Sequence, residues 1–163
     1  MSRRPSGWVL LDALLALLVL GTALLGLFLS TAQALQQQRD HAAWAQALHL
    51  SDDLLTRMAI NREGLSAYLL AAGETPSPLD CTQTACTASQ WAQADLAHWK
   101  RRVQNELPQG DAQLLGTATD ERQRLIWLEW STVAASVGVA GPTDPTIPSC
   151  PAAKRCYALW VLP

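Results

Sequence analysis

Few side chains in this 163-residue sequence have the types and spacing that catalysis needs. The three histidines, His41, His49 and His98, do not converge on one helix face, and the Asp52-Asp53 pair is expected on a solvated helix face. The sequence has no G-x-S-x-G, H-E-x-x-H, P-loop or G-x-G-x-x-G motif. It therefore predicts no enzyme, no cofactor and no metal site, with a membrane-anchored periplasmic enzyme as the minor alternative.

One acidic residue, Asp12, does stand out because it lies inside an apolar segment. From Trp8 to Leu29, 18 of 22 residues are apolar, eleven of them leucine. A helix of that length spans ~33 Å, which matches the hydrocarbon core of a bilayer. The apolar residues together favour insertion by several kcal/mol, while a central Asp would cost about 2.5–3.5 kcal/mol and Asp12, near the end, less. The segment is therefore expected to cross the membrane.

The basic residues before this segment set its expected orientation. Arg3 and Arg4 precede the apolar run, so the positive-inside rule keeps the N-terminus cytoplasmic and places the remaining chain outside. A secretory signal peptide would find a cleavage site at Ala32-Gln33-Ala34, but its apolar core is usually shorter. A plain membrane anchor explains the length and leaves Asp12 unexplained.

The four cysteines form two close pairs, Cys81-x₄-Cys86 and Cys150-x₅-Cys156. Zinc sites usually have tighter C-x₂-C spacing, and disulfides persist outside the cytoplasm. Two local disulfides, Cys81–Cys86 and Cys150–Cys156, are therefore favoured, with crossed pairings left open. The formal net charge of −2 argues against a nucleic-acid partner that binds through a basic face.

The elements that follow the apolar segment read as one long helix and a small α+β domain. No proline occurs between Pro5 and Pro76, and a single helix is expected from Trp8 to about Arg62, with Gly64 as its stop. Its predicted buried stripe is Trp44, Leu48, Leu55, Met58 and Ala59. Six polar residues are expected to point outward for the most part: Gln37, Arg39, Asp40, Gln46, Asp53 and Arg57.

The second half of the chain predicts a short helix and an antiparallel sheet. A helix is expected over Asp95–Leu107, and strands over Gln113–Thr117, Leu125–Ser131 and Tyr157–Leu162. A polar turn is expected at residues 120–122, and a loop rich in Gly and Pro over 137–151. Because residues 125–130 are apolar on both faces, apart from Glu129, the middle strand should be central and covered on one side by the long helix.

The N-terminal order resembles the prepilin leader of type IV pilins and type II secretion pseudopilins. It reads Arg3-Arg4-Pro5-Ser6-Gly7, then Trp8-Val9-Leu10-Leu11-Asp12. In that family a short basic leader ends in Gly, a peptidase cuts after it, and the new N-terminus is methylated. The resemblance implies cleavage between Gly7 and Trp8 and places Asp12 at the fifth mature position. In that family the first mature residue is commonly Phe and the fifth is usually Glu, whereas this sequence has Trp8 and Asp12.

The rest of the chain resembles the PilV type of minor pilin (type IV pilus modification protein). The residues that carry this resemblance run as follows: Leu54-Leu55-x-Arg57-Met58-x-x-Asn61-Arg62, Tyr68, Cys81, Cys86, Gln90, Ala94-Asp95-Leu96, Trp99, Leu107-Pro108 and Gly110. The resemblance implies a leader over 1–7, a transmembrane half-helix over 8–29 and a periplasmic domain over 30–163.

The function implied by the resemblance is structural. The chain would be a minor pilin that is processed by prepilin peptidase, held in the inner membrane, and then placed at or near the pilus tip. Its partners would be other minor pilins, the major pilin and a tip adhesin, with Asp12 pairing to the N-terminal amine of a neighbouring subunit. A type II secretion minor pseudopilin is the alternative, because its leader is nearly identical.

Overall fold

The computed structural model describes residues 6–81, 85–117, 122–132 and 147–163. They form three helical and three strand elements: α1 (Ser6–Ile60), a 3₁₀ helix (Arg62–Ala67), α2 (Ala88–Glu106), β1 (Asp111–Gly116), β2 (Arg124–Ser131) and β3 (Lys154–Val161). The chain divides into two compact units, Met1–Arg39 and Asp40–Pro163. The expected α+β arrangement, with a long N-terminal helix and a small antiparallel sheet, is confirmed.

The first unit consists of the N-terminal part of α1. The large apolar side chains described between Trp8 and Leu29 are 53% to 72% exposed. The hydroxyl of Thr22 in this stretch is satisfied locally, because it donates to the Val19 carbonyl at 2.9 Å. The hydroxyls of Ser30 and Thr31 make the same bond to the carbonyl three residues earlier.

In the second unit, the remaining part of α1 buries a different face from the predicted stripe. Its fully buried residues are Ala47, Leu50, Leu54 and Met58. Trp44 and Leu48 are 37% and 42% exposed, and Ala59 is also exposed. The prediction was right for Met58 and in part for Leu55, which packs against the core. The buried face is centred about a quarter of a helical turn from the predicted stripe. Apolar residues lie on the flank as well as on the core face, and periodicity alone does not separate the two.

After the end of α1, the backbone of the 3₁₀ helix lies close to the backbone at the start of α2. The helix stops at Ile60, near the expected position, and the chain continues as the 3₁₀ helix that contains Gly64. A Cβ atom at Gly64 would overlap the carbonyl oxygen of Ala88 at the start of α2. Gly64 is therefore required for contact between the 3₁₀ helix and α2.

Helix α2 begins seven residues before the expected start at Asp95. Its N-cap is Thr87, whose side chain accepts from the Gln90 N–H while the Gln90 side chain accepts from the Thr87 N–H at 2.8 Å. This capping box is a T-x-x-Q signature that the sequence analysis missed. The predicted end was right within one residue, and the buried face of α2 includes Leu96, Trp99 and Val103.

The three strands form an antiparallel sheet in the order β1-β2-β3. The central position of β2 is confirmed, and each strand lies within three residues of its predicted bounds. Ile126, Leu128 and Trp130 belong to the same core cluster as the buried face of α1. Residues 120 and 121 of the predicted turn, residues 137–146 of the predicted loop and residues 1–5 of the predicted leader lie outside the described residues.

Candidate functional site

The N-terminal part of α1 carries the features that the sequence analysis connected with assembly. Over the described residues, α1 is the one helix long and apolar enough to span a membrane by length and composition, a test that a signal sequence also passes. The Gly7–Trp8 bond lies in its first turn, and Trp8 is 72% exposed. Asp12 is exposed five residues into the proposed mature chain.

Asp12 has no cation within ion-pair distance among the described residues. A carboxylate within an apolar helix is costly in a bilayer unless it has a partner or reaches the interface. The expected partner of Asp12, the N-terminal amine of a neighbouring subunit, stays a prediction.

In the second unit, a polar seam joins α1 to α2. We define it by Asp53, Arg57, Asn61, Tyr68 and Asp95. Arg57 donates from Nε to Asp53 Oδ2 at 3.1 Å and from Nη1 to Asp95 Oδ1 at 2.8 Å. The Tyr68 hydroxyl donates to Asp95 Oδ2 at 2.6 Å, so Asp95 bridges α1 and the segment after the 3₁₀ helix. Asn61 donates to the Ala88 carbonyl at 2.8 Å and closes the seam at its end.

A second group of charges extends the contact between α1 and α2 towards the end of α2. Arg102 donates to Asp53 Oδ2 at 3.1 Å and binds Glu106 through Nε at 2.7 Å and Nη2 at 3.2 Å. Gln46 of α1 donates to the same carboxylate of Glu106. The expectation that Asp53 and Arg57 look outward was wrong, because both are half-buried and hydrogen-bonded across the helix pair.

The pKa values of the seam follow from burial and from these bonds. Burial raises the pKa of Tyr68 far above its usual value near 10, and its hydrogen bond to Asp95 adds to the shift. Burial alone would lower the pKa of Arg57, but its bonds to Asp95 and Asp53 outweigh burial and raise it. The Arg102 guanidinium lowers the pKa of Glu106. Arg57 is therefore charged and Tyr68 is a neutral phenol at pH 7.

A groove of about 590 Å³ opens along the seam. Its lining consists of Asp53, Thr56, Arg57, Ile60, Asn61, Trp91 and Asp95. Asp53 and Asp95 are its two carboxylates, and Arg57 bonds both. Arg57 binds Asp53 on its own helix and Asp95 on α2, an arrangement that holds the two helices together.

Two further cations are buried beneath the sheet and were missed by the sequence analysis. Lys100 of α2 is 2% exposed, donates to the Ala112 carbonyl at 2.7 Å and forms an ion pair with Asp111. Arg124 of β2 is 3% exposed and donates to the carbonyls of Tyr68 at 3.2 Å and Leu65 at 2.8 Å. Each ties one segment to another, and no local pattern marks them because their partners lie 11 to 59 residues away.

The structure contains two disulfides, Cys81–Cys86 and Cys150–Cys156. These are the local pairings that the sequence favoured, with Cα atoms 5.5 and 5.8 Å apart. The first disulfide ends one residue before the N-cap of α2, and the second joins the chain before β3 to β3 itself. None of the described histidine, cysteine, aspartate and glutamate residues form a group that could hold a metal ion. His41, His49 and His98 are exposed.

The comparison with protein families matches residues 31–97 to the Tt1218-like family, described as type IV pilin Tt1218. The match supports a type IV pilin. It covers 67 of the 163 residues and contains the five residues of the polar seam and the first disulfide. No curated protein and no solved structure matched the chain. The family match thus rests on residues 31–97 and includes neither the apolar segment Trp8–Leu29 nor the three described strands.

Proposed function

We propose that the chain is a minor pilin that takes part in priming type IV pilus assembly and in the pilus-tip complex. The observation that carries this proposal is a membrane-length exposed helix with a single carboxylate, Asp12, at the fifth position after Gly7. The family match to a type IV pilin supports the same reading. Prepilin peptidase would cut between Gly7 and Trp8 and leave a methylated N-terminus, and the remaining chain would face the periplasm.

In this proposal, the apolar half of α1 has two successive environments. Before assembly it is held in the inner membrane, and after assembly it packs against the helices of other minor pilins and of the major pilin. Asp12 would bind the N-terminal amine of a neighbouring subunit, since an ion pair offsets the cost of a carboxylate in apolar surroundings. Because Asp is one methylene shorter than Glu, the two charged groups must approach more closely than in a subunit with Glu. A tip adhesin would bind the assembled complex.

Mass analysis of the N-terminus tests the processing step. Intact protein purified from its own membrane should begin at a methylated Trp8. A chain that retains Met1, or one that begins at Leu35 after cleavage of a secretory signal, would contradict the proposal. Gly7→Ala is the control, because a peptidase that requires Gly should leave this variant uncut with Met1 in place.

Substitution of Asp12 tests the assembly step. Asp12→Ala should insert into the membrane as well as the natural chain, because it removes an unfavourable transfer term. It should fail to enter the pilus fraction. Asp12→Glu keeps the carboxylate and should retain incorporation. Unchanged piliation in Asp12→Ala would show that the pairing role of Asp12 is wrong.

A type II secretion minor pseudopilin would share the leader, so gene deletion distinguishes the two systems. Loss of surface pili with normal secretion supports the pilus. Loss of secretion with normal pili would show that the protein is a pseudopilin, with the same processing and assembly steps taking place in the secretion system.

A further inference from the structure

The outer edge of the sheet offers a second interaction surface. Strand β3 pairs with β2 on one side, and among the described residues no strand pairs with its other side. An unpaired edge of this length presents main-chain donors and acceptors that another polypeptide can bind as an added strand.

The register identifies which main-chain groups of β3 face outward. Ser131 of β2 donates its N–H to the Pro108 carbonyl at 2.8 Å, so the main-chain groups of Ser131 point away from β3. The N–H and C=O groups of successive residues in a strand point to alternate sides. The main-chain groups of Trp130, Leu128 and Ile126 therefore point towards β3. Their register partners are Arg155, Tyr157 and Leu159. The residues between them, Cys156, Ala158 and Trp160, therefore direct their N–H and C=O groups outward.

A contact at the opposite edge agrees with this assignment. Leu114 of β1 exchanges two hydrogen bonds of 2.9 Å with Leu70, so its main-chain groups point away from β2. Its register partner Ile126 must then point towards β3. Within the described part of the chain, the outward main-chain groups of Cys156, Ala158 and Trp160 have no hydrogen-bond partner.

An apolar flank of α1 runs beside this edge. We define it by Trp44, Leu48 and Leu55, which lie within about 40° of one another around the helix. Trp44 contacts Tyr157 of β3 edge-on, with ring centroids 5.4 Å apart. Trp44 and Leu48 are 37% and 42% exposed, although their spacing is that of a buried stripe. The described residues form a sheet of three strands, and the Trp44–Tyr157 contact places this flank on the β3 side of α1, where a fourth strand would cover it.

The charged side chains of the edge strand β3 are all basic. Strand β3 has two basic residues, Lys154 and Arg155, and no acidic residue. Lys154 binds Glu129 at 2.7 Å. Arg155 lies 5.9 Å from the ring centroid of Trp44, and no carboxylate of the described residues lies within ion-pair distance of it. A partner with a carboxylate at this end of the strand would complement the guanidinium.

We propose that β3 accepts an added β-strand from a different polypeptide. The partner segment is extended, with two apolar residues at alternate positions facing the α1 flank and one acidic residue near Arg155. Residues opposite one another on neighbouring strands share a face. The partner residues opposite Tyr157 and Leu159 therefore pack on Leu48 and Leu55, while its main chain bonds Cys156, Ala158 and Trp160. This surface is separate from Asp12 and does not rest on the proposed role in the pilus.

Site-specific photocross-linking of the full chain in its own cells tests this proposal. A benzophenone amino acid at Leu48 should cross-link to one short segment of another polypeptide, and mass spectrometry should show the alternation of apolar residues with an acidic residue near Arg155. The same group at Gln104, exposed on α2, should not capture that segment. Cross-links to a helix, to lipid or to β3 of a second copy, or no cross-link at all, would overturn the proposal.

Two matched variants probe the hydrogen bonds of the edge. Ala158→Pro removes one outward N–H and leaves the bonds to β2 intact, since proline is tolerated at such edge positions. It should lower the cross-link yield about tenfold, whereas Ala158→Val should retain it. Equal yields in the two variants would show that no strand is added. Thermal unfolding of Ala158→Pro checks that the sheet remains intact.

Arg155→Glu provides a second measurement that leaves the main chain unchanged. Like charges across an interface disfavour binding, so the yield should fall at least fivefold. Arg155→Lys should keep most of it. An unchanged yield in Arg155→Glu would exclude the acidic partner residue even if Ala158→Pro does not fold.

Discussion

At the scale of single residues, the polar seam explains why Arg57, Asn61, Tyr68 and Asp95 occur together. Asp95 receives one bond from Arg57 at 2.8 Å and one from Tyr68 at 2.6 Å. Each bond satisfies a group that is shielded from water, and a lost partner leaves the other group unsatisfied at about 1–3 kcal/mol. These residues therefore hold α2 against α1.

Tyr68 gives the seam a pH dependence. Its folded pKa is raised by burial and by Asp95, above its unfolded value near 10. Its contribution to stability is therefore fully present below pH 10 and is lost as the pH rises above 10. Tyr68→Phe should be less stable by about 1–2 kcal/mol at pH 8 and should lose less stability above pH 10.

Denaturant titrations of both proteins at several pH values between 8 and 11.5 measure this difference. Tyr157→Phe also removes one phenol and should follow the natural chain. Parallel stability curves for Tyr68→Phe and the natural chain would contradict the assignment of the alkaline loss to Tyr68.

At the scale of elements, the start of α2 depends on a few local groups. The Thr87–Gln90 capping box satisfies two main-chain donors, the N–H groups of Thr87 and Gln90. Cys86 forms a disulfide with Cys81 immediately before the box. The disulfide limits the conformations of the loop, and the cap begins the helix seven residues before Asp95. The seam bond from Asn61 to the Ala88 carbonyl then depends on this position of the first turn.

Thr87→Ala should lower the free energy of unfolding by about 1 kcal/mol, because it removes the hydroxyl that accepts from the Gln90 N–H. Thr87→Ser keeps the hydroxyl and should stay within a few tenths of the natural value. The shift of the urea unfolding midpoint measures this change in the free energy of unfolding, provided that the dependence of that free energy on urea concentration is unchanged. If Ala and Ser gave the same midpoint, the box would not stabilise the helix.

At the scale of the whole molecule, the two units differ in what they bury. Every buried hydrophobic residue described lies at or after Ala47, and the apolar side chains before Arg39 are exposed. Burial of apolar surface is the main favourable term in folding. The second unit therefore contains the core that stabilises it, and the first unit leaves its large apolar side chains exposed.

Removal of residues 1–39 should therefore leave a soluble fragment, Asp40–Pro163, with both disulfides and a cooperative unfolding transition. The matched control begins at Asp52 and lacks Ala47 and Leu50, so it loses part of the core. It should be less stable by several kcal/mol or fail to fold. Circular dichroism with thermal unfolding compares the two fragments. Failure of both would show that the core needs the N-terminal helix.

The local features of this chain were readable in the sequence. The apolar length of Trp8–Leu29, the position of Asp12 and the strand periodicities depend on residues close together along the chain. So do the cysteine pairs, because a separation of five or six residues brings the two sulfur atoms within reach. The start of α2 was also local, and the T-x-x-Q signature at Thr87 would have shown it.

Other features depended on contacts between distant residues. What packs against each helix and strand decides these features. They are the choice between the core face and the flank of α1, the ion pairs of Asp53, and the burial of Lys100 and Arg124. A helical period shows that one face is apolar, but both the core face and the flank of α1 satisfy it. Tertiary packing decided between them, because Leu50 and Leu54 are fully buried in the core cluster whereas Leu48 remains 42% exposed.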